Sequence, residues 1–374
     1  MDTRFLVVGG GLAGAAAAWR LAAGGDSVVL AEAVGLAHAG GSSHGSARIF
    51  RHAYPDPFWA ALTRRALGGW QELERESGER VLTTTGGLDF GARRNLPAIA
   101  ATLAAAGLEH AVLDAHDARE RWPHLAFDGP VVQHSAAGVI DAERAVESMA
   151  RLAERAGARI ATGLRAVAVE QLSSGVLVRF DSGEQIEAEV VVLAAGAWLP
   201  QLASALPAGI GALLPELTVT QQQVFHFPFP GGPPERLQDW PVFVHKDELS
   251  VYCLPGGRDA GYAGFKIAEH DAGVVTTASG RSSRVLPEAR ERIVEYVRRY
   301  LPGVDPQPYN EATCLYTSTP DEDFVLDRRG DVVLVSACSG HGAKFGPLLG
   351  ELAADLALRR TGPIERFALS MPVQ

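Results

Sequence analysis

Cysteine is scarce in this chain. Three residues among 374, Cys253, Cys314 and Cys338, are an odd number and lack metal-ligand spacing. That excludes a disulfide scaffold, predicts no metal site, and suits the reducing cytoplasm. Positive charge is also in short supply. Lys and Arg total 34 against 44 Asp and Glu, a formal net charge of −10, so no nucleic-acid partner is expected. The pairs Arg64-Arg65 and Arg298-Arg299 read as helix surface charge. No apolar run reaches the roughly 20 residues of a membrane span; the alanine-rich stretch from Ala13 to Ala23 is broken by Arg20. No signal peptide is read ahead of the first strand, and there is no internal repeat or low-complexity tract. An ordered protein with no membrane partner is expected.

What is present is ample apolar material, 47% of the residues, enough for a sizeable core and two or three lobes. The first thirty residues read as a parallel βαβ unit: strand Phe5–Val8, a glycine turn, an alanine-rich helix Leu12–Ala23, and strand Ser27–Ala31. Helices are predicted over Pro57–Ser77, Asn95–Gly107, Ala142–Ala156 and Pro287–Tyr300. Gly86–Gly91 and Arg159–Thr162 read as short strands, and Leu164–Gln171 with Val176–Asp181 as a hairpin turning at Ser173-Ser174-Gly175. Val190–Ala195 is a continuous apolar run, as in a strand buried on both faces. Thr218–Lys266 alternates loosely between proline–glycine breaks and predicts an antiparallel sheet. A strand Val332–Ser336, a glycine turn and a helix Pro347–Leu358 then restore βα character. The fold class is α/β: a discontinuous Rossmann-like cofactor domain (1–85, 140–217, 312–374) with an inserted mixed or antiparallel-sheet substrate domain (86–139, 218–311).

Gly9-Gly10-Gly11-Leu12-Ala13-Gly14 fits G-x-G-x-x-G in the context the motif needs, after a strand and opening a helix. The glycines let the backbone approach a pyrophosphate, and the helix start offers free N–H groups to its charge. Glu32 ends the second strand, where an acid can bind a ribose hydroxyl. The motif alone does not choose between FAD and NAD. Its N-terminal position favours FAD, as does Val190–Gly196, which resembles the second signature of FAD proteins.

A second cluster runs Ser42-Ser43-His44-Gly45-Ser46-Ala47-Arg48-Ile49-Phe50-Arg51-His52-Ala53-Tyr54. It closely resembles the monomeric sarcosine oxidase and N-methyltryptophan oxidase family, among the D-amino-acid-oxidase-like flavoproteins. The likeness continues at Thr313-Cys314-Leu315-Tyr316-Thr317, Thr319-Pro320-Asp321-Glu322 and Ser339-Gly340-His341-Gly342-Ala343-Lys344-Phe345. The resemblance implies FAD, with Arg51 and Lys344 clamping a substrate carboxylate. It puts Ser43, His44, Arg48, Gly340 and Gly342 beside the flavin, and gives Cys314 a thioether to the 8α-methyl group. It implies that Lys266, with His270 four residues on, promotes oxygen reduction, and that Tyr252 and Tyr316 stand in the active site.

Each assignment has a plainer reading: a surface arginine, a buried thiol, a solvent-facing strand lysine, core tyrosines. The chain departs from sarcosine-type members at Tyr252-Cys253-Leu254-Pro255, in a longer connection through Gly256-Gly257-Arg258-Asp259, at Phe243 and at Ala343. These positions are expected at the pocket wall and entrance. The expectation is an FAD-dependent oxidase of a small N-methyl or cyclic amino acid, giving an imine and hydrogen peroxide. A dehydrogenase with another acceptor, a biosynthetic oxidase of an unusual substrate, and a flavin protein without turnover stay open. So does the oligomeric state, a monomer being compatible.

Overall fold

The computed structural model describes residues 2–207 and 209–369. Five parallel strands form the centre of the first sheet, in the order Arg159–Thr162, Val28–Glu32, Thr3–Val8, Gln185–Leu193, Val332–Ser336. Alternate side chains serve two cores. Phe5, Val7, Leu30, Val192 and Val333 face the helices Leu12–Ala23, Pro57–Ser77, Ala142–Arg155 and Gly346–Ala357. Leu6, Val8, Val29, Val191 and Leu334 face the hairpin Ala166–Gln171/Val176–Phe180 and the turns that follow the long strand. The alanines of the first helix let it approach the last closely: a side-chain carbon added at Gly350 would lie 2.3 Å from Ala16 Cβ. Two of the helices are started by carboxylates. Asp56 accepts from Phe58 N at 2.9 Å and Asp141 from Arg144 N at 3.0 Å.

The second sheet has nine strands and is antiparallel except where Gly87–Phe90 runs parallel to Val242–Lys246. Its strand Thr218–Pro228 pairs with Asn310–Ser318 over nine residues. The strand that carries Cys314 and Tyr316 therefore belongs to this sheet, and the boundary expected at residue 312 falls inside it. Likewise a small sheet joins Arg48–Phe50, Gly138–Ile140 and Leu82–Thr84 across the boundary expected at 139/140.

The nine-stranded sheet divides its side chains between two faces. Leu88, Phe243, Val251, Cys253, Phe265 and Ile267 pack on the helix Pro287–Tyr300. The opposite face carries Val244, Lys246, Ser250, Tyr252 and Lys266, all lining one cavity. Phe243 and Cys253, expected at the pocket wall, thus lie on the core side; Val244 and Tyr252 are the residues that face the cavity.

Candidate active site

The cavity, of about 780 Å³, runs from the C-terminal ends of the parallel strands to the inner face of the second sheet. At its first end the backbone is shaped for close approach. Gly9 has φ +103°, and a Cβ there would lie 2.4 Å from Ala194 O. A Cβ on Gly14 would meet Gly9 O at 1.8 Å, so this glycine serves helix–strand contact and does not line the cavity. Gly11, Leu12, Ala13 and Glu32 do line it. The Glu32 carboxylate accepts from Gly10 N at 2.7 Å and Val34 N at 2.9 Å, and Ser43 Oγ accepts from Leu12 N at 3.0 Å. A helix start and glycine floor at the cavity and an acid at the end of the second strand together fit a dinucleotide pyrophosphate and ribose.

In the middle of the cavity Arg48 donates to Ser42 O at 3.1 Å and to Ala47 O at 3.0 Å. Its Nη2 stands 3.8 Å from Cys314 Sγ. Lys266, 5% exposed, donates from Nζ to the same Ala47 carbonyl at 3.0 Å. Burial, then the Arg48 charge, lowers its pKa to about 7. His44 does not line the cavity. Its Nε2 is buried without a partner, and burial together with Arg48 and Lys266 lowers its pKa to about 3, so it is neutral.

At the far end Tyr54, Arg51, Lys344, His270, Tyr252 and Tyr316 converge. Lys344, 2% exposed, donates to His341 O at 2.5 Å, while Trp70 Nε1 holds the Lys344 carbonyl at 2.7 Å. Burial, then Arg51, pushes the Lys344 pKa well down. Arg51 donates to Ala53 O and lies 4.6 Å over the Tyr54 ring. Burial, then Arg94, lowers its pKa too. Neither Arg51 nor Lys344 has a carboxylate within 4.0 Å among the described residues. A part-buried guanidinium and a buried ammonium without a counter-ion make a ready site for a carboxylate. Burial raises Tyr252 to about 12, and burial with Lys246 and Arg51 lowers His270 to about 4. Gly340, at φ +68°, is what lets Tyr316 and His270 close in, since a Cβ there would lie 2.6 Å and 2.7 Å from their rings. Gly342 and Ala343 complete the wall.

Sequence reasoning missed a supporting group. Asp89, 1% exposed, binds Arg94 at 2.5–2.7 Å, and His134 lies 3.3 Å from its second oxygen. Arg94 also donates to Ala53 O at 2.9 Å, the carbonyl that holds Arg51. The available signal was an aspartate inside the otherwise apolar strand Gly87–Phe90. Tyr54, which meets His341 Nδ1 at 3.0 Å, and Lys246 were missed as well.

This constellation on this fold defines a flavin-dependent oxidoreductase, and the chain belongs to the FAD dependent oxidoreductase family, whose profile matches residues 4–356. It is 33% identical over 369 residues to the monomeric sarcosine oxidase of Streptomyces avermitilis, covering 95% of this chain and 94% of that protein. It is 30% identical over 387 residues to the N-methyl-L-tryptophan oxidase of Yersinia pestis, covering 99% of each. Among solved structures, NikD, an unusual amino acid oxidase essential for nikkomycin biosynthesis, matches with TM-score 0.85. It is 23% identical and covers 100% of this chain and 98% of that one. Glycine oxidase from Geobacillus kaustophilus matches at 0.81 with 19% identity over 100% of both chains. At those identities the structural likeness concerns the fold. The sequence relatives are the family that the loop 42–54 and the 313–317 and 339–345 segments resembled. Among the described residues no helix is long and apolar enough to cross a membrane, and no His/Cys/Asp/Glu group could hold a metal.

Proposed function

We propose that the protein is an oxidase of a small secondary amino acid, N-methylated or cyclic, yielding the imine and hydrogen peroxide. The observation that carries the reading is the carboxylate-free pair of part-buried Arg51 and buried Lys344, in the cavity that also contains the glycine cradle and Lys266. FAD, when bound, would supply the electron sink for a hydride from the carbon beside nitrogen, with oxygen as the final acceptor. Gly9, Gly11 and the start of the helix Leu12–Ala23 would hold its pyrophosphate, and Glu32 its ribose. Arg51, through its planar fork, and Lys344 fix the substrate carboxylate and thereby the orientation of its carbon–nitrogen bond. The same positive potential disfavours a substrate ammonium, which favours the neutral amine that can release hydride. Neutral His270 and the Tyr252 and Tyr316 hydroxyls bound the place where the amine sits. Lys266 supplies positive charge where oxygen takes up its first electron.

Cys314 carries the flavin as a thioether in this reading. Its support is a sulfur in the cavity wall, 3.8 Å from the Arg48 guanidinium. Three free thiols suit a protein working in the cytoplasm.

Anaerobic bleaching of the flavin band by a panel of N-methyl, cyclic, primary and non-carboxylated amines tests the reading. Bleaching by secondary amino acids is the expected result. Bleaching by carboxylate-free amines alone would remove the role of Arg51 and Lys344, and no bleaching by any amine would remove the reaction.

A further inference from the structure

The substrate end of the cavity holds more positive charge than one carboxylate requires. Beyond Arg51 and Lys344, Lys246 at the end of the strand Val242–Lys246 lines the same wall, and its ammonium has no hydrogen-bond or ion-pair partner among the described residues. Arg94 also lines the wall but is neutralised by Asp89. The local acid Glu322 lies beyond 4.0 Å from Lys246 and offers only its field. Directly across the hairpin, Ser250 pairs with Lys246, so the two side chains share the cavity face. Ser250 Oγ is buried, lines the cavity and has no hydrogen-bond partner. The Ser250 carbonyl accepts from His270 N at 2.6 Å, tying this pair to the substrate end of the site. A partly buried cation beside an unsatisfied buried hydroxyl is costly unless an acceptor fills the gap.

We propose that Lys246 and Ser250 form a second anion subsite, so that the substrate is a secondary amino acid bearing a further carboxylate. The proposal rests on the amine-oxidase reading above. Lys246 gives the charge and Ser250 a neutral donor, while Arg51 and Lys344 take the α-carboxylate. Burial, then Arg94 and Arg51, pushes the Lys246 ammonium below its ordinary pKa, a burden that a bound anion relieves.

The test uses the holoenzyme and two thioethers that cannot give an imine, (methylthio)acetate and thiodiacetate. Their Kd values are read from the shift they cause in the flavin absorption spectrum. Thiodiacetate should bind tighter by about tenfold or more, the effect of one charge-assisted contact. Lys246→Met should bring the ratio of the two constants close to one, Lys246→Arg should keep it, and Ser250→Ala should reduce it several-fold. In parallel, N-methylaspartate should bleach the flavin at lower concentration than N-methylalanine. Equal binding of the two thioethers by wild type overturns the subsite while N-methylalanine still bleaches the flavin, which leaves the amine-oxidase reading intact. A ratio unchanged in Lys246→Met likewise overturns it. If no secondary amino acid bleaches the flavin, the oxidase reading fails, and the subsite falls with it.

Discussion

Asp89→Ala is the perturbation with the most clearly defined outcome. The residue is 1% exposed and its partner Arg94 is 9% exposed. Burial pushes the Asp89 carboxyl up, but Arg94, the His134 contact and Arg51 outweigh it and hold it below the ordinary carboxylate range. Removing one partner leaves a buried guanidinium uncompensated, which costs about 3–5 kcal/mol. At about 2.1 cal/mol/K per residue, 374 residues give an unfolding entropy of about 0.8 kcal/mol/K, so Tm should fall by about 4–6 °C. Scanning calorimetry at neutral pH reads this. Replacing both residues by Leu should recover most of the loss, because an apolar pair needs no counter-charge. Formate should stabilise the single variant more than wild type, by filling the vacated carboxylate position. The sign with pH follows from linkage. A depressed carboxylate contributes stability above its unfolded pKa of about 3.9 and loses it as pH falls through the folded value. The gap between wild type and Asp89→Ala should therefore close in strong acid. A single variant within 1 °C of wild type, or a double variant as unstable as the single, would refute the argument.

Further outcomes follow from the same geometry. With Lys266 near 7, flavin reoxidation by oxygen should slow as pH rises through that value and the positive charge is lost; stopped-flow profiles should show the inflection, and Lys266→Met should be slow and flat. His270 and His44, at about 4 and 3, should contribute no inflection near neutrality. Acid precipitation should leave yellow colour in the wild-type pellet and none in Cys314→Ala; a colourless wild-type pellet would end the thioether assignment. Gly340→Ala, strained by about 1–2 kcal/mol at positive φ and clashing with Tyr316 and His270, should slow anaerobic flavin reduction while flavin content persists.

Much of this was legible in the sequence because the signals were local. The Gly9–Gly14 turn, the strands on either side of it and the helices opened by Asp56 and Asp141 are each specified within a few residues. What was illegible was pairing at long range. Nothing near Cys314 announces that residues 310–318 lie beside 218–226, because that register is set by partners about ninety residues away. Nor did the sequence reveal which side of the second sheet faced the cavity. Phe243 and Val244 are neighbours, and only the packing of helix Pro287–Tyr300 decides that the first is core and the second is wall. Asp89 and Arg94 were hidden for the same reason, since a buried ion pair is visible only once both ends are placed.

The division of faces constrains how such a protein can change. Along Val242–Lys246 and Ser250–Pro255, Val244, Lys246, Ser250 and Tyr252 line the cavity, while Phe243 and Cys253 between them lie in the core. Point changes at 244, 246, 250 or 252 can therefore retune recognition without touching the packing behind them. A one-residue insertion early in either strand would instead exchange the faces of the residues beyond it, turning Phe243 or Cys253 toward the cavity and, in the first strand, Lys246 toward the core. Length variation is thus confined to the connections, and the chain's longer segment through Gly256-Gly257-Arg258-Asp259 lies just where the ladder between Ser250–Pro255 and Gly264–Glu269 has ended.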